Sequence, residues 1–341
     1  MTTTLITGAT GYLARHILDQ LAARPGQSTI ALVRDRKAWQ SLSHRPPGAE
    51  ALVGAVEADP APLATVLAPR GVTAILHLAG VVRHTRIGTD DMVRTNVEGT
   101  RQMVRLAARL GARLVLASTS GAVGCYRHPD IVADEDAPYA HDTAGRWPYY
   151  ASKIAAELAA KELAGKLGVT LSIVRPPMLL GPGDHRLRST AHVSRALLGQ
   201  LPVLAAGGVA VADVRDVAAA FVTIAGLVRP RRVYHTPGTN TTIAGFYRLV
   251  TELSGARPPA LVPGAPLRLA ARLSQDLARA VGRPRSWLPD PVHVEMSAHF
   301  WGLRSLYADE IGYRPRPLRQ TLVDTIAWLR DHHPDLRPRT A

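Results

Sequence analysis

The sequence predicts an α/β protein with a doubly wound parallel sheet and a smaller C-terminal lobe. Apolar runs of strand length alternate with helical patterns through the first two thirds of the 341 residues, which is typical of a parallel sheet covered by helices on both faces. A glycine-rich turn joins the first run to the first helical pattern. After Pro176 the elements become shorter and richer in proline and glycine, which indicates a second lobe.

Six apolar runs have the length of buried strands. They are Thr3–Thr7, Thr29–Val33, Ala51–Val56, Ala74–Leu78, Arg113–Ala117 and Thr170–Val174. Apolar residues recur at helical spacing in the segments Leu13–Ala23, Pro62–Leu67, Asp90–Leu110 and Tyr149–Leu167. We therefore expect residues 1–180 to form the sheet domain, with a strand and a helix near 209–228 returning to it. Residues 181–341 are expected to form mainly the lobe.

The clearest helix of the lobe is predicted over residues 266–281. Its periodicity places these apolar side chains on one side: Leu267, Ala270, Leu273, Leu277 and Val281. We expect this side to pack on the lobe and the basic remainder to face solvent. Contact of the basic helix with an anionic lipid surface is the alternative.

Charge and cysteine content exclude several classes of protein. The formal net charge is +14, but the arginines are spread along the chain without interleaved aromatic residues, so nucleic acid is not an expected partner. The single cysteine, Cys125, cannot form an internal disulfide, and no metal site is expected. Five histidines without ligand spacing are expected at the surface or in packing: His84, His128, His185, His332 and His333. No apolar stretch of about 18 residues predicts a membrane span and no secretory signal opens the chain, so we expect a cytoplasmic protein.

The glycine-rich turn lies between the first strand and the first helix. Phosphate oxygens approach backbone amides at a helix start, and a side chain at Gly8 or Gly11 would obstruct that approach. The position of the turn therefore predicts a dinucleotide site in a Rossmann-like fold. Its predicted cofactor-binding residues are Thr7, Gly8, Thr10, Gly11, Tyr12 and Leu13.

The residue after the second strand indicates which dinucleotide binds. An NAD site usually has an acid there for the ribose hydroxyls, whereas this chain has Arg34. A guanidinium suits the 2′-phosphate of NADP(H), which is therefore the predicted cofactor. NAD(H) is the alternative, with Asp35 at the ribose.

Hydroxyl and amine side chains form a candidate catalytic group. Tyr149 and Lys153 are four residues apart on a predicted helix and hence on one face. A phenol with a pKa of about 10 is a poor acid–base catalyst at neutral pH, and a nearby ammonium favours the phenolate. Ser118–Gly121 follow the fifth strand at the edge where ligands of such sheets bind, and Ser120 is predicted to orient a carbonyl oxygen there.

Seven motifs carry a resemblance to a known family. They are TGATGYLA at 7–14, HLAG at 77–80, NVEGT at 96–100, STSGAVG at 118–124, YYASK at 149–153, RPPMLLGPGD at 175–184 and DVRDVA at 213–218. In order and spacing the chain resembles the extended short-chain dehydrogenase/reductase superfamily, also called the NAD-dependent epimerase/dehydratase family. It is most similar to the branch of dihydroflavonol reductases and 3β-hydroxysteroid dehydrogenases.

The resemblance implies roles for the candidate residues. Tyr149 is the implied acid or base, Lys153 its electrostatic partner and Ser120 the carbonyl-orienting hydroxyl, with Thr119 or Ser118 as the fallback. Asn96 is implied to position the catalytic helix and its proton relay.

The resemblance also implies which residues surround the ligands. Leu78, Ala79, Gly80, Lys153 and Pro176 are expected to border the cofactor. Ser120, Cys125 and Tyr149 are expected to contact the substrate, with the C-terminal lobe as the substrate-binding lobe. Family precedent implies a homodimer formed through the helices at 90–110 and 149–167.

The expected function is NADPH-dependent reduction of a ketone or aldehyde to an alcohol, or the reverse oxidation. The first alternative is a nucleotide-sugar epimerase or dehydratase with tightly bound NAD. Its members commonly have a tyrosine after the hydroxyl cluster, whereas Val123 is followed by Gly124 in this chain. The second alternative is a regulatory protein that binds NADP without catalysis.

Overall fold

The computed structural model describes residues 2–42, 48–201, 203–281 and 291–336. Within these ranges the strands are β1 (Thr2–Thr7), β2 (Gln27–Val33), β3 (Ala49–Val53), β4 (Val72–His77), β5 (Arg113–Ala117), β6 (Cys125–Tyr126), β7 (Leu171–Arg175), β8 (Met178–Leu180), β9 (Val203–Ala205), β10 (Gly208–Asp213), β11 (Val233–His235), β12 (Thr239–Thr242), β13 (Ala260–Val262) and β14 (Phe300–Trp301). The α-helices are α1 (Tyr12–Ala22), α2 (Arg36–Gln40), α3 (Pro60–Leu67), α4 (Asp90–Met92), α5 (Gly99–Leu110), α6 (Pro148–Leu167), α7 (Ala191–Leu197), α8 (Val214–Gly226), α9 (Ile243–Ser254), α10 (Gly264–Ala280), α11 (Pro291–Ser297) and α12 (Leu318–His332). A π-helical turn covers Val93–Glu98, and 3₁₀ turns cover Ala68–Arg70, Ser120–Ala122, Ala144–Arg146, Asp309–Ile311 and Pro334–Leu336.

Seven parallel strands form the main sheet in the order β11-β7-β5-β4-β1-β2-β3. The predicted doubly wound sheet is confirmed, and all six predicted strands lie in it. The sequence reasoning missed β11, because this strand has three residues and pairs with β7 only at the edge of the sheet. The direction of winding reverses between β1 and β4, so their carboxyl ends border the crevice where ligands bind in open α/β sheets.

Helices cover both faces of the sheet. Adjacent residues of β1 point to opposite faces: Leu5 packs in the core under α3, α5 and α6, and Ile6 in the core under α1 and α8. Phe221 of α8 is fully buried in the second of these cores, where α8 packs against α1. A helix from the second half of the chain therefore covers part of the sheet.

The lobe has an apolar core of its own. β8, β10 and β12 form a three-stranded sheet, and Phe246 of α9 and Leu322 of α12 pack beside it with Leu180. The antiparallel pair β6–β14 sets Trp301 opposite Cys125. This pair joins residues 300–301 to the segment that follows the hydroxyl cluster of β5.

The predicted packing side of α10 is wrong. Leu267 and Ala271 are buried because β9 and α11 cover their side of the helix. Leu273, Leu277 and Val281, predicted to share the side of Leu267, are 60%, 53% and 56% exposed. Six residues turn a helix by about 600°, so Leu273 lies about 120° away from Leu267. No helix in the part of the chain that the structure describes is both long and apolar enough to span a bilayer.

A buried ion pair fastens α6 to the sheet. Glu157 on α6 is fully buried and Arg175 at the end of β7 is 2% exposed. Arg175 donates to the Glu157 carboxylate through Nη2 at 2.7 Å and Nε at 3.0 Å, and the hydroxyls of Ser118 and Tyr139 donate to it as well. Burial acts to raise the pKa of Glu157, but the hydrogen bonds and charge of Arg175 outweigh burial and hold the pKa below its usual range.

Replacing Glu157 by alanine leaves the Arg175 guanidinium buried without its counter-charge. We expect Glu157→Ala to lower the free energy of unfolding by about 3–5 kcal/mol, as measured by urea denaturation. Glu162→Ala on the exposed side of the same helix is the control, because its i,i+4 pair with Lys166 lies in solvent and contributes little to stability. Equal losses of unfolding free energy in the two variants would contradict a stabilising role of the buried Glu157–Arg175 ion pair.

Candidate active site

The candidate site residues meet at one edge of the main sheet. Gly8, Leu78, Ser118 and Pro176 directly follow β1, β4, β5 and β7, and the carboxyl ends of these parallel strands lie side by side. The first turns of α6 reach the same edge, because Lys153 Nζ donates to the backbone oxygen of the last residue of β5 at 2.7 Å. The site therefore borders the crevice between β1 and β4.

The turn after β1 forms a cradle that side chains would fill. Gly8 has a φ of 66°, and a Cβ there would lie 2.7 Å from the backbone nitrogen of Ala79. Gly11 donates its N–H to the Gly8 oxygen at 2.8 Å and is the N-cap of α1. The first amides of α1 thus follow a turn in which positions 8 and 11 carry no side chain, which fits the pyrophosphate of a dinucleotide.

Two predicted cofactor contacts in this turn have other partners. Thr7 is fully buried, and its hydroxyl accepts from Ala79 N at 3.1 Å and is hydrogen-bonded to His77 Nδ1 at 2.7 Å. The Thr7 side chain thus joins β1 to β4, and its contact with the cofactor stays a prediction. The Tyr12 hydroxyl donates to Gly181 O at 2.8 Å, which leaves the backbone amide of Tyr12 for the cradle.

The residues after β2 present a positive surface at the end of the crevice. Arg34 is exposed and lies next to Asp35, whose carboxylate accepts from Lys37 N at 2.7 Å and caps α2. Because Asp35 caps a helix, it is poorly placed to bind ribose hydroxyls. Arg34 keeps its guanidinium toward solvent, where a phosphate can reach it.

Tyr149 is the buried phenol of the site. It stands on the first turn of α6, is 8% exposed, and receives a hydrogen bond from the Thr119 hydroxyl. Burial raises the pKa of Tyr149 to about 12, although the Thr119 bond lowers it. The phenol is therefore protonated at neutral pH. The Lys153 ammonium donates to the backbone oxygen of Ala117, and its role in favouring the phenolate stays a prediction.

The three hydroxyl residues that follow β5 have different partners. Ser118 donates to the buried carboxylate of α6. Thr119, which precedes a 3₁₀ turn, points its hydroxyl to Tyr149. Ser120 begins that turn, is 7% exposed, and donates its backbone N–H to Pro176 O at 2.8 Å. Thr119 is thus the hydroxyl residue that contacts the phenol, while the role of Ser120 at the carbonyl oxygen stays a prediction.

Asn96 connects the loop after β4 to the catalytic helix. It lies in the π-helical turn, accepts from Val81 N at 2.8 Å through Oδ1, and donates to Ser152 Oγ at 2.9 Å through Nδ2. A Cβ on Gly80 would lie 3.3 Å from Asn96 Oδ1 and 3.6 Å from Lys153 Nζ. Gly80 thus lets the loop backbone pass close to both side chains, as expected for a residue that borders the cofactor.

Cys125 belongs to an aromatic wall beside the phenol. It packs with Trp147, Tyr149 and Tyr150 and is 1% exposed. Burial raises the pKa of the Cys125 thiol to about 12, so it is no nucleophile at neutral pH. Cys125 is thus part of this buried wall, and its contact with a substrate stays a prediction.

Sequence reasoning missed a histidine cluster next to the phenol. The ring of His84 lies edge-to-face at 5.5 Å from the ring of Tyr149 and 5.3 Å from that of His293. His192 is close enough for its charge to act on His84. The three histidines come from the loop after β4, from α7 and from α11, so no spacing in the sequence links them. His84 therefore packs against aromatic rings, as expected for a packing residue, but the sequence did not predict its place beside the phenol.

The fold and the site define an enzyme of the dinucleotide-dependent short-chain dehydrogenase/reductase class. Residues 4–235 match the model of the NAD dependent epimerase/dehydratase family. The chain belongs to this family of extended short-chain dehydrogenases/reductases, and it has the nicotinamide dinucleotide site of that family.

Relatives of known activity cover most of the chain. Cinnamoyl-CoA reductase 1 of Oryza sativa subsp. japonica is 32% identical over 260 residues, which are 73% of this chain and 75% of that protein. Sterol demethylase protein B of Methylococcus capsulatus is 28% identical over 340 residues, 96% of this chain and 98% of that protein. The putative dihydroflavonol 4-reductase of Synechocystis sp. is 26% identical over 341 residues, 96% of this chain and 94% of that protein.

Solved structures share the same fold. The crystal structure of gox2253 is 28% identical, with a TM-score of 0.78, and the match covers 97% of this chain and 98% of that one. UDP-glucose 4-epimerase of Thermotoga maritima, solved with UDP-glucose, is 18% identical with a TM-score of 0.72 over 96% of this chain and 99% of that one. At this identity the second likeness concerns the fold alone.

The buried ammonium of Lys153 makes stability depend on pH. Burial lowers the pKa of Lys153 to about 8, while Glu157 acts to raise it, and an unfolded lysine has a pKa of about 10.4. Between these two values the unfolded chain binds more protons than the folded one, so the free energy of unfolding rises with pH.

We expect Lys153→Met to be more stable than the wild type near neutral pH, by about 1–3 kcal/mol. This difference should shrink as the pH rises from about 8 toward about 10.4. Urea denaturation at several pH values measures it, with Lys166→Met at the exposed end of α6 as the control. A difference independent of pH would show that Lys153 is not a buried ammonium.

Proposed function

We propose that the protein is an NADPH-dependent carbonyl reductase that converts a ketone or aldehyde to an alcohol. The observation that carries this proposal is Tyr149, a buried and protonated phenol at the sheet edge beside the cradle of Gly8 and Gly11. A protonated phenol is the form that donates a proton to a carbonyl oxygen as that oxygen gains charge. The protonated Tyr149 is therefore the proton donor in the proposed reduction.

The residues for the cofactor come from four strand ends. Gly8–Gly11 would hold the pyrophosphate, Arg34 the 2′-phosphate, and Leu78–Gly80 with Pro176 would border the nicotinamide. The chemistry that a bound NADPH supplies is hydride transfer to the carbonyl carbon. The chain supplies the position of the substrate and the proton.

The proton donor is oriented by its neighbours. Thr119 holds the Tyr149 hydroxyl by a hydrogen bond, and Ser120 stays the predicted donor to the carbonyl oxygen. Below a pH of about 8 the Lys153 ammonium adds a positive charge that favours the negatively charged transition state. Asn96 positions α6 through Ser152.

Comparison with relatives supports reduction over sugar chemistry. Relatives at 26–32% identity bear the names cinnamoyl-CoA reductase and dihydroflavonol 4-reductase. The UDP-glucose epimerase and dTDP-glucose dehydratases that share the fold are 17–22% identical. A purified protein that carries NAD and consumes no added NADPH would instead be an epimerase or dehydratase. One that binds NADP without turnover would be a regulatory protein.

Removing the phenolic hydroxyl should abolish turnover. We expect Tyr149→Phe to lower kcat by about 10²–10⁴-fold in a screen of aldehydes and ketones followed by nicotinamide absorbance. NADPH affinity, measured by fluorescence titration, should change little because the phenol belongs to α6 and not to the glycine turn that would hold the pyrophosphate. Tyr150→Phe is the matched control, because its ring packs on that of Tyr149 at 4.9 Å. Full turnover in Tyr149→Phe would contradict the role of Tyr149 as the proton donor.

Removing the Arg34 guanidinium should change the cofactor preference. We expect Arg34→Ala to weaken NADPH binding by about 10–100-fold, because charge-assisted hydrogen bonds contribute about 1.5–3 kcal/mol. NADH binding should change far less, since it has no 2′-phosphate. Arg36→Ala is the control for loss of one nearby positive charge, because Arg36 is also exposed. Equal losses for both dinucleotides in Arg34→Ala would contradict the NADPH preference.

A further inference from the structure

The histidine cluster of His84, His192 and His293 lies beside the phenol of Tyr149, with the ring of His84 in contact with it. His84 is stacked on Tyr150 with ring centroids at 5.9 Å and stands edge-to-face on Tyr149. These contacts place the His84 ring next to Tyr149, the proposed proton donor. A ligand whose carbonyl meets Tyr149 therefore extends toward the cluster.

One nitrogen of the cluster has no partner. Nδ1 of His84 is buried, and no protein group in the described part of the chain hydrogen-bonds to it. A buried polar atom without a partner costs about 1–3 kcal/mol, and a ligand that supplies the partner recovers this cost. The orphan nitrogen thus indicates a polar ligand group beside the phenol.

The charges around the cluster indicate the sign of that group. Burial and the charges of His293 and His192 lower the pKa of His84 to about 3. Burial and the charges of His293 and Arg195 lower the pKa of His192 to about 4. The groups whose charges lower these two pKa values are imidazoles and Arg195, so an anion that enters between the rings meets no opposing charge from these neighbours.

The nearest acids are themselves paired with arginines. Glu295 on α11 is paired with Arg86 and Arg272, and Asp91 after the His84 loop is paired with Arg83. No group of three or more potential ligand side chains among the described residues is arranged to hold a metal ion. A metal site is therefore not the use of this cluster.

We propose that His84, His192 and His293 form a binding subsite for an oxyanion, a carboxylate or a phosphate, carried by the carbonyl substrate. The oxyanion accepts hydrogen bonds from the imidazoles, and one imidazole takes up a proton from solvent as the anion binds. This assignment rests on the proposed function only in calling the anion part of a carbonyl substrate. The anion site itself exists whether or not the protein reduces carbonyls.

Proton uptake fixes the sign of the pH dependence. The free His84 imidazole is neutral above about pH 3, and a bound anion raises its pKa by charge attraction. Between the pKa of His84 in the free protein and its higher pKa in the anion complex, the complex holds one more proton than the free protein. The dissociation constant of the anion therefore rises by up to about tenfold per pH unit as the pH increases.

The first experiment measures binding without turnover. The full chain with isotope-labelled histidine is titrated by NMR with acetate, inorganic phosphate and neutral acetamide, at several pH values. We expect an anion to shift the His84 resonances saturably, with a Kd of about 1 mM, more weakly at higher pH, and acetamide to leave them unchanged. Saturation by acetate or by phosphate alone identifies the source of the anion. No anion-specific shift, or tighter binding at higher pH, would overturn the subsite.

The second experiment measures specificity in the holoenzyme. We expect kcat/KM for 4-formylbenzoate to exceed that for its neutral methyl ester, and the ratio to fall as the pH rises. His84→Gln and His192→Gln, which keep a polar group but cannot take up the proton, should remove the preference. His185→Gln, a histidine packed on Trp328 away from the site, should retain it.

The two experiments separate the two proposals. Anion binding at His84 without reduction of any carbonyl would refute the reductase and leave the subsite. Reduction of acid and ester with equal efficiency, together with no anion-specific shift, would refute the subsite and leave the reductase. Circular dichroism of each variant verifies that it is folded.

Discussion

The pairing of Glu157 with Arg175 is the interaction on which the geometry of the site depends. Glu157 lies four residues after Lys153 and eight after Tyr149, so all three side chains share one face of α6. The carboxylate is bound by groups from the ends of β5 and β7. Because Glu157 is fixed to the ends of β5 and β7, α6 holds the phenol of Tyr149 and the ammonium of Lys153 at a fixed position relative to the edge of the sheet. Glu157 also opposes the loss of charge on Lys153.

Exclusion of water acts on every titratable group of the site. It raises the pKa of the Tyr149 phenol and lowers those of the Lys153 ammonium and the His84 imidazole, so it favours the neutral form of all three. Polar groups in such surroundings interact strongly with any charge that enters, because no solvent screens them. The lobe contributes to the exclusion of water, since Trp301 of β14 packs on Tyr150.

Features that depend on neighbouring residues were predictable from the sequence. The glycine turn, the six long strands and the four-residue spacing of Tyr149 and Lys153 are local patterns, and the structure contains each of them. The different partners of Ser118, Thr119 and Ser120 were not predictable, because they depend on the 3₁₀ turn into which the hydroxyl cluster folds. The buried state of Thr7 likewise depends on the loop after β4.

Features assembled from distant segments gave no sequence signal. The histidine cluster draws on the loop after β4 and on two helices of the lobe, and the buried ion pair needs α6 and β7 to be adjacent. The packing side of α10 was mispredicted because an apolar periodicity does not state which side β9 and α11 will cover. Such features depend on tertiary contacts rather than on spacing.

The π-helical turn over Val93–Glu98 has a geometric consequence for the evolution of the site. Such a turn accommodates a residue more than a regular helix does, and each residue rotates the following helix by about 100°. Deleting one residue here would relax the turn into ordinary helix, and Asn96 and the apolar side of α5 would no longer face their present neighbours together. The π-helical turn thus sets the rotation of α5 relative to Asn96. For this reason we expect the segment Val93–Glu98 to be intolerant of insertions and deletions.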